Sequence, residues 1–180
     1  MLEVKKINPI LFDREQHYLL QQQLVRTYDA GIITVSLNIP GTNKQLPRYH
    51  QFFQAIIKPH ILKFLQKNNI NYQNMQEIYD HTGDYLIIVL PTNSNYLNIK
   101  QLLLNFETTS QIYQLLDFDV YNQELQTISR NDLNVEMRKC YLCSSPAKLC
   151  ARGKVHLVSE LLCYIDNVIE KEIEQNVKVK

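Results

Sequence analysis

Three cysteines and a histidine near the C-terminal end of the chain have the clearest chemical potential. Cys140, Cys143, Cys150 and His156 follow one another as C-x2-C-x6-C-x5-H. Three thiolates and one imidazole are ligands that a tetrahedral structural zinc site uses. The same pattern also suits small residues packed beneath a following helix. A redox C-x-x-C pair is less well supported, because the strand that precedes such a pair in thioredoxin-like proteins is not evident. The spacing therefore leaves zinc binding and packing as the main hypotheses.

A second group consists of the two aspartates in the segment LLDFDVYN. Residues two apart on a strand point to the same face, so Asp117 and Asp119 would lie side by side. Mg²⁺ prefers one or two carboxylates together with phosphate oxygens and water, an arrangement that serves phosphoryl or nucleotidyl transfer. Two solvated aspartates on an exposed strand are the simpler alternative, since D-x-D is common by chance. Glu107, ten residues before the pair, is a candidate general base.

Several cations could complete an anion-binding site around the aspartates. Arginine binds phosphate through two parallel hydrogen bonds, and lysine acts as a point charge. The candidates for binding a polyphosphate substrate are Lys44, Arg130, Arg138 and Arg152, and Lys154 lies close by in the sequence. Each of them taken alone is equally well explained as a solvated surface charge.

The composition is that of an ordinary globular domain of 180 residues, with 45% apolar and 21% charged residues. The net charge is only +1, so no overall field draws the chain to nucleic acid or to a membrane. The chain has no recognisable signal peptide and no run of roughly 20 apolar residues. We therefore predict a cytoplasmic protein with neither a nucleic-acid nor a membrane partner. Cysteines stay reduced in that compartment, which favours a metal over a disulfide.

Hydrophobic periodicity predicts the elements that position these residues. Residues 13–30 form a predicted helix, with Asp13 and Gln16 resembling a capping box. Residues Ile33 to Ile39 alternate between apolar and polar types, as in a half-buried strand. Residues 48–68 carry apolar rows at helical spacing, which Pro59 kinks or divides. His60, on that apolar face, is predicted to be a packed histidine rather than a ligand.

The second half of the chain continues with four strands and two helices. The predicted elements are a weak strand at 76–80, a buried strand in DYLIIVLP, a helix at 95–106, a hairpin of LLDFDVYN and ELQTISR, and an amphipathic helix from Val155. The order from residue 32 to 121 is β-α-β-β-α-β, which is typical of a ferredoxin-like fold. We predict a single α+β domain spanning residues 1–180. Its core covers about 31–130, an N-terminal helix precedes it, and a Cys-motif and helical appendage covers about 131–175.

Five segments together resemble a known enzyme family. They are DREQHYLLQQQL, SLNIPGTNK, HTGDYLIIVLP, LLDFDVYN and, most specific, the run from Ser129 and Arg130 to His156. In this order they resemble the citrate lyase holo-acyl-carrier-protein synthase family. Its members are also called apo-citrate lyase phosphoribosyl-dephospho-CoA transferases. The resemblance covers most of the chain.

The resemblance implies a transferase with nucleotidyltransferase-type chemistry. Such an enzyme moves the phosphoribosyl-dephospho-CoA prosthetic group from triphosphoribosyl-dephospho-CoA to a serine of the citrate lyase acyl carrier subunit, and it releases pyrophosphate. The family's acidic pair, which would bind Mg²⁺, falls on Asp117 and Asp119. Its basic positions fall on Lys44, Arg130, Arg138 and Arg152.

One segment departs from the family pattern. Before the acidic pair the family usually has H-P-L-G-R-L-x-D-x-D, whereas this chain has SQIYQLLDFD. The substituted positions are Ser110, Gln111, Tyr113 and Gln114, and Gly153 stands where a second basic residue is usual. Two alternatives therefore remain open. One is a non-catalytic module that binds the carrier protein, and the other is a homologous transferase for a different carrier, such as that of malonate decarboxylase.

Overall fold

The computed structural model of the protein describes residues 8–177 and has helices packed against one five-stranded sheet. The class is α+β, as predicted. The elements are α1 (Pro9–Tyr28), β1 (Ile32–Leu37), α2 (Pro47–Phe52), a π-helical turn (Phe53–Ile57), α3 (Lys58–Lys67), β2 (Asn74–Asp80), β3 (Gly83–Val89), α4 (Tyr96–Glu107), α5 (Gln111–Gln114), β4 (Leu116–Tyr121), β5 (Thr127–Ile128), a 3-10 turn (Asn131–Leu133), α6 (Ala147–Arg152) and α7 (Val158–Val177).

The sheet has the strand order β2-β3-β1-β4-β5, and every neighbouring pair is antiparallel. The first four strands and their crossover helices form the predicted ferredoxin-like βαββαβ arrangement. β5 adds a fifth strand through only two residue pairs, Val120 with Ile128 and Tyr121 with Thr127. The first half of β4 is therefore an edge that no strand covers.

The two faces of the sheet are buried differently. Leu116, Phe118 and Val120 of β4 join the main core, to which α2 to α5 and α7 contribute. α1 forms a smaller core on the opposite face, mostly against β3. Because side chains alternate along a strand, Asp117 and Asp119 project on the α1 side of the sheet. The acidic pair is thus kept out of the main core.

The first helix begins earlier than predicted. The side chain of Asn8 accepts a hydrogen bond from the backbone N–H of Ile10, and Pro9 occupies the first helical position. Both residues favour a helix start at that point. Asp13 is not a cap, so the predicted capping box was wrong. The Asp13 carboxylate instead accepts hydrogen bonds from the backbone and the ring of His81.

The helical region that Pro59 was predicted to kink or divide contains a π turn just before the proline. The backbone N–H of Lys58 donates to the carbonyl of Phe53, five residues earlier. Proline has no N–H, and its ring clashes with the carbonyl four residues before it. The extra residue in the π turn accommodates this without a break, so residues 47–67 form one helical rod with a local bulge.

Two later elements are shorter than predicted because side chains redirect the backbone. Strand β5 stops at Ile128, since the Asp132 carboxylate accepts hydrogen bonds from the backbone and the hydroxyl of Ser129. Helix α7 begins at Val158 rather than Val155, since the Glu160 carboxylate accepts the N–H of Leu157. Within residues 8–177, each helix is too short or too polar to cross a lipid bilayer.

Candidate active site

The acidic pair lies on β4, opposite two hydroxyl residues of β1. Asp117 is in register with Ser36, and Asp119 with Thr34. The Asp117 side chain is 52% exposed, whereas Asp119 is half-buried. Burial and the neighbouring Asp117 carboxylate raise the pKa of Asp119, and the cations Lys100 and Arg138 oppose this increase. A cation bound between the two carboxylates would therefore reduce the repulsion between them.

A cavity of 620 Å³ opens beside the uncovered edge of β4. The end of α4, the segment around the 3-10 turn and the Cys-motif form its other walls. Ligand pockets for molecules of nucleotide size fall roughly between 300 and 1,000 Å³. The charged residues that line it near β4 are Lys100, Glu107, Asp117, Asp119, Arg130 and Arg138.

Two cations are fixed to the edge of β4 by its backbone. The Arg138 guanidinium donates to the carbonyl of Leu116 at 2.7 Å, and the Lys100 ammonium donates to that of Phe118 at 2.6 Å. Burial lowers the pKa of Lys100, while Asp119 and Glu107 favour its charged form. Each cation is therefore held next to one of the two aspartates. Lys100 was not predicted as a site residue. The available signal was its place between apolar residues of the predicted helix, Ile99 and Leu103, which indicates a buried lysine.

Glu107 is the counter-ion of two arginines. Its side chain is only 6% exposed, and it pairs with Arg130 and, at 3.2 Å, with Arg138. Arg138 also lies 3.6 Å from Asp117. Both arginines contact the same carboxylate oxygen, Oε2, so Glu107 serves as the shared anchor of two guanidinium groups. The geometry therefore assigns Glu107 a role in positioning the two arginines.

Replacing Glu107 with glutamine is expected to destabilise the protein by about 1–3 kcal/mol, because two arginines lose a charged acceptor in a largely buried place. Urea unfolding measures this change. The matched control is Glu77→Gln, since Glu77 pairs with Lys58 at the surface with both side chains substantially exposed. The control is expected to cost less than about 1 kcal/mol. Equal losses in the two variants would contradict a structural role for Glu107.

The other two predicted cations lie in different places. Lys44 is half-buried and flanks Asp117 from the α1 side. Burial and the nearby Arg14 lower the pKa of Lys44, whereas Asp117 raises it. Arg152 is exposed at the end of α6 and does not line the cavity. The structure therefore brings Arg130 and Arg138 to the cavity beside the acidic pair, whereas Lys44 and Arg152 do not line that cavity.

The predicted cysteine and histidine ligands converge on one point. Cys140, Cys143, Cys150 and His156 each offer one ligand atom, and these atoms lie within 4.8 Å of one another. His156 lowers the pKa of Cys143 to about 6, which favours the thiolate, whereas burial and the neighbouring thiols raise the pKa of Cys150 to about 11. A bound cation would remove this repulsion between thiolates. The Nε2 atom of His156 is buried and has no hydrogen-bond partner among the described residues. Three thiols beside an unpartnered buried nitrogen fit a tetrahedral zinc site.

The cysteine cluster also supports the cavity wall. Cys140, Cys150 and His156 line the cavity on its outer side. Backbone hydrogen bonds from Cys140 to Ser145 and from Ala147 to Arg138 close the loop around the cluster. The Tyr141 hydroxyl donates to the carbonyl of Asn38 at the end of β1. The segment that carries Arg138 is therefore tied both to the cluster and to the sheet.

One residue that departs from the family pattern, Tyr113, is packed in this protein. Tyr113 stacks on Phe106 at 4.0 Å, and its hydroxyl is 3.1 Å from the ring of His60. His60 is therefore a packed histidine, as predicted. None of the substituted positions lines the cavity; they are Ser110, Gln111, Tyr113 and Gln114. In this chain the four positions therefore contribute no side chain to the cavity wall.

Comparison with known proteins identifies the family of the chain. The sequence model of the family described as apo-citrate lyase phosphoribosyl-dephospho-CoA transferase matches residues 5–172. A probable transferase of that name from Streptococcus pyogenes serotype M18 is 32% identical over 173 residues, covering 93% of this chain and 86% of the relative. One from Vibrio cholerae serotype O1 is 24% identical, covering 90% of each.

A longer relative contains a similar region. The protein CitXG of Haemophilus influenzae is 27% identical over 166 residues, which cover 91% of this chain but 35% of that protein. The resemblance noted in the sequence is thus confirmed by the family match and by relatives that are aligned over most of the chain. The chain belongs to the apo-citrate lyase phosphoribosyl-dephospho-CoA transferase family.

Proposed function

We propose that the protein transfers the phosphoribosyl-dephospho-CoA group from its triphosphate precursor to a serine of the citrate lyase acyl carrier subunit. The observation that carries the proposal is the meeting of two aspartates, two arginines and a lysine at one cavity of 620 Å³, in a chain of this family. In the reaction, the serine oxygen forms a bond to the α-phosphorus of the precursor. The bond from that phosphorus to the bridging oxygen breaks, and pyrophosphate leaves as the serine loses its proton.

Asp117 and Asp119 are the residues that would hold Mg²⁺. Their carboxylates share one face of β4, and Asp117 is accessible from solvent. When bound, Mg²⁺ neutralises charge on the phosphate oxygens of the substrate. The raised pKa of Asp119 means that ionisation of the pair depends on a nearby positive charge.

The cations bind and orient the phosphates. Arg130 and Arg138 line the cavity with their positions set by Glu107, and Lys44, outside the cavity, adds a positive charge that Asp117 favours. Lys100 is anchored to the backbone and supplies a fixed positive charge behind Asp119. Because these groups are held in place before the substrate arrives, they stabilise developing charge without reorganising.

A structural zinc ion at the cysteine cluster is part of the proposal. Four protein ligands would close the site, so zinc would leave no position for substrate and the chemistry would remain with the acidic pair. A cytoplasmic location, where thiolates stay reduced, suits such a site. The non-catalytic alternative is distinguished by activity: a carrier-binding module would bind the apo carrier but leave it unmodified.

The proposal is tested by the intact mass of the apo carrier subunit after incubation with the protein, the triphosphate precursor and Mg²⁺. The carrier is expected to gain the mass of one phosphoribosyl-dephospho-CoA unit, with release of one pyrophosphate per carrier. A carrier whose acceptor serine is alanine is the control and gains nothing. A parallel incubation with the malonate decarboxylase carrier identifies the preferred acceptor. An unmodified citrate lyase carrier at high enzyme concentration would refute the proposal.

A further inference from the structure

The segment from Met137 to Val158 forms a compact projection that we name the Cys knob. Its four candidate ligands lie within 4.8 Å of one another, so the residues beside them are drawn together at the surface. Several of these neighbours are aliphatic and exposed, with exposed fractions from 38% to 68%; they are Leu142, Leu149, Val155 and Leu157. Single exposed aliphatic residues are ordinary, but a group around one small centre is characteristic of a contact surface.

The charge of the Cys knob has one sign. It contains five lysine and arginine residues and no aspartate or glutamate, in a chain whose net charge is +1. The five cations are Arg138, Lys139, Lys148, Arg152 and Lys154. Among residues 8–177, only Arg138 of these five is paired with a carboxylate. The other four cations are therefore available to an external anionic surface.

The Cys knob adjoins the cavity that holds the acidic pair. Lys139 and Lys148 line the cavity, whereas Leu149 and Lys154 are exposed and do not line it. A macromolecule bound to the outer side of the knob would consequently lie next to the place where the serine must arrive. The precursor alone does not account for the aliphatic residues, because they lie outside the cavity that would enclose it.

We propose that the Cys knob is the docking surface for the carrier subunit, and that it binds an acidic face of that protein together with apolar side chains. The inference rests on the proposed function. Charge complementarity guides association and orients the partner, and the aliphatic residues contribute contact area. Arg152, which lies outside the cavity, belongs to this surface. A structural metal would then hold the docking surface in shape while taking no part in the reaction.

The test compares two double variants with the same change of residue types. The knob variant is Leu149→Glu with Lys154→Glu, and the control is Leu97→Glu with Lys63→Glu on α4 and α3. All four side chains are exposed, and none lines the cavity. The knob variant is expected to raise the KM for the carrier about 10-fold or more. The kcat at saturating carrier and the affinity for the precursor should stay within about twofold of wild type.

Two further measurements make the result independent of folding and of catalysis. Zinc content and melting temperature show whether the knob variant keeps its structure, and Lys154→Gln is a milder variant if it does not. Direct binding of the apo carrier without precursor is expected to weaken with added salt in the wild type. The dependence on salt should be less steep in the knob variant and in Lys154→Gln.

The outcomes separate this inference from the proposed function. A wild-type protein that modifies the carrier, together with an unchanged carrier KM in the knob variant, would overturn the docking surface alone. Equal weakening in the control variant would also overturn it, since overall charge would then be the cause. A wild-type protein that neither binds nor modifies the carrier would remove both proposals.

Discussion

Replacing Asp119 with asparagine is expected to lower turnover by about 10²-fold or more while the protein stays folded. The loss has the size seen when a preorganised electrostatic group is removed from an active site. Asp117→Asn is expected to behave in the same way, because the two carboxylates would hold one ion. The double variant should be little worse than either single variant, since the pair acts as a unit. Initial rates of carrier modification at saturating precursor measure all three.

The control for this series is Asp29→Asn. Asp29 ends α1 in the left-handed backbone region, which asparagine also adopts readily, so activity and stability should both be retained. Turnover of Asp117→Asn and Asp119→Asn within a few-fold of wild type would show that the ion is held elsewhere. Unfolding of either variant would identify the aspartates as structural residues, and the catalytic assignment would fail.

The stability of Asp119→Asn relative to wild type is expected to depend on pH. Burial and Asp117 raise the pKa of Asp119 in the folded protein, so folding favours the protonated carboxyl. The stabilising contribution of the protonated form is complete below the unfolded pKa and is lost as the pH rises through the folded pKa. In metal-free buffer, Asp119→Asn should therefore be more stable than wild type at pH 7. The difference should shrink as the pH falls toward the ordinary carboxyl range. A difference that is constant with pH would contradict the shifted pKa.

The second large effect concerns the cysteine cluster. Protein purified without chelator is expected to contain about one zinc ion per chain, and Cys143→Ser is expected to contain almost none. Loss of the metal should lower the free energy of unfolding by on the order of 3 kcal/mol, because metal binding in such sites is coupled to folding. It should also expose the Cys knob to proteolysis. Elemental analysis, urea unfolding and mapping of protease cleavage sites measure these changes.

Cys163→Ser is the matched control for the zinc prediction. Cys163 is exposed on α7 and lies outside the cluster, so its replacement should change neither zinc content nor stability. Zinc-free wild-type protein of full stability would show that the three cysteines and His156 are only packed together. The proposed active site does not depend on that outcome, because Arg138 is also anchored to the backbone of β4.

The parts of the structure that were predictable from the sequence are those with a regular period or a fixed spacing. Alternation predicted β1 as a half-buried strand, and the apolar run predicted β3 as a strand buried on both faces. Both strands form, but β1 is buried on both faces as well, since Thr34 is only 2% exposed. The order of elements predicted the ferredoxin-like sheet. The spacing of Cys140, Cys143, Cys150 and His156 predicted a cluster that the folded chain assembles. Each of these signals is local, or is carried by the order of the elements alone.

The missed features depend on contacts between distant residues. The pairing of Glu107 with Arg130 joins residues 23 positions apart, and no pattern in either segment announces it. The outward position of Arg152 depends on how α6 is rotated. Cys150 is buried, and a residue two positions later on a helix lies roughly 200° around its axis, so Arg152 faces solvent. The rotation is set by the cluster, which the sequence indicates but does not orient.

The cations fixed to β4 also bear on solubility. An uncovered strand edge offers free carbonyl and amide groups to which a strand of another molecule can add, and proteins commonly block such edges with charged side chains. The Leu116 and Phe118 carbonyls are already occupied by Arg138 and Lys100. The two cations thus protect the sheet from intermolecular pairing. Neutral substitutions at Arg138 or Lys100 therefore remove a barrier to aggregation as well as a positive charge.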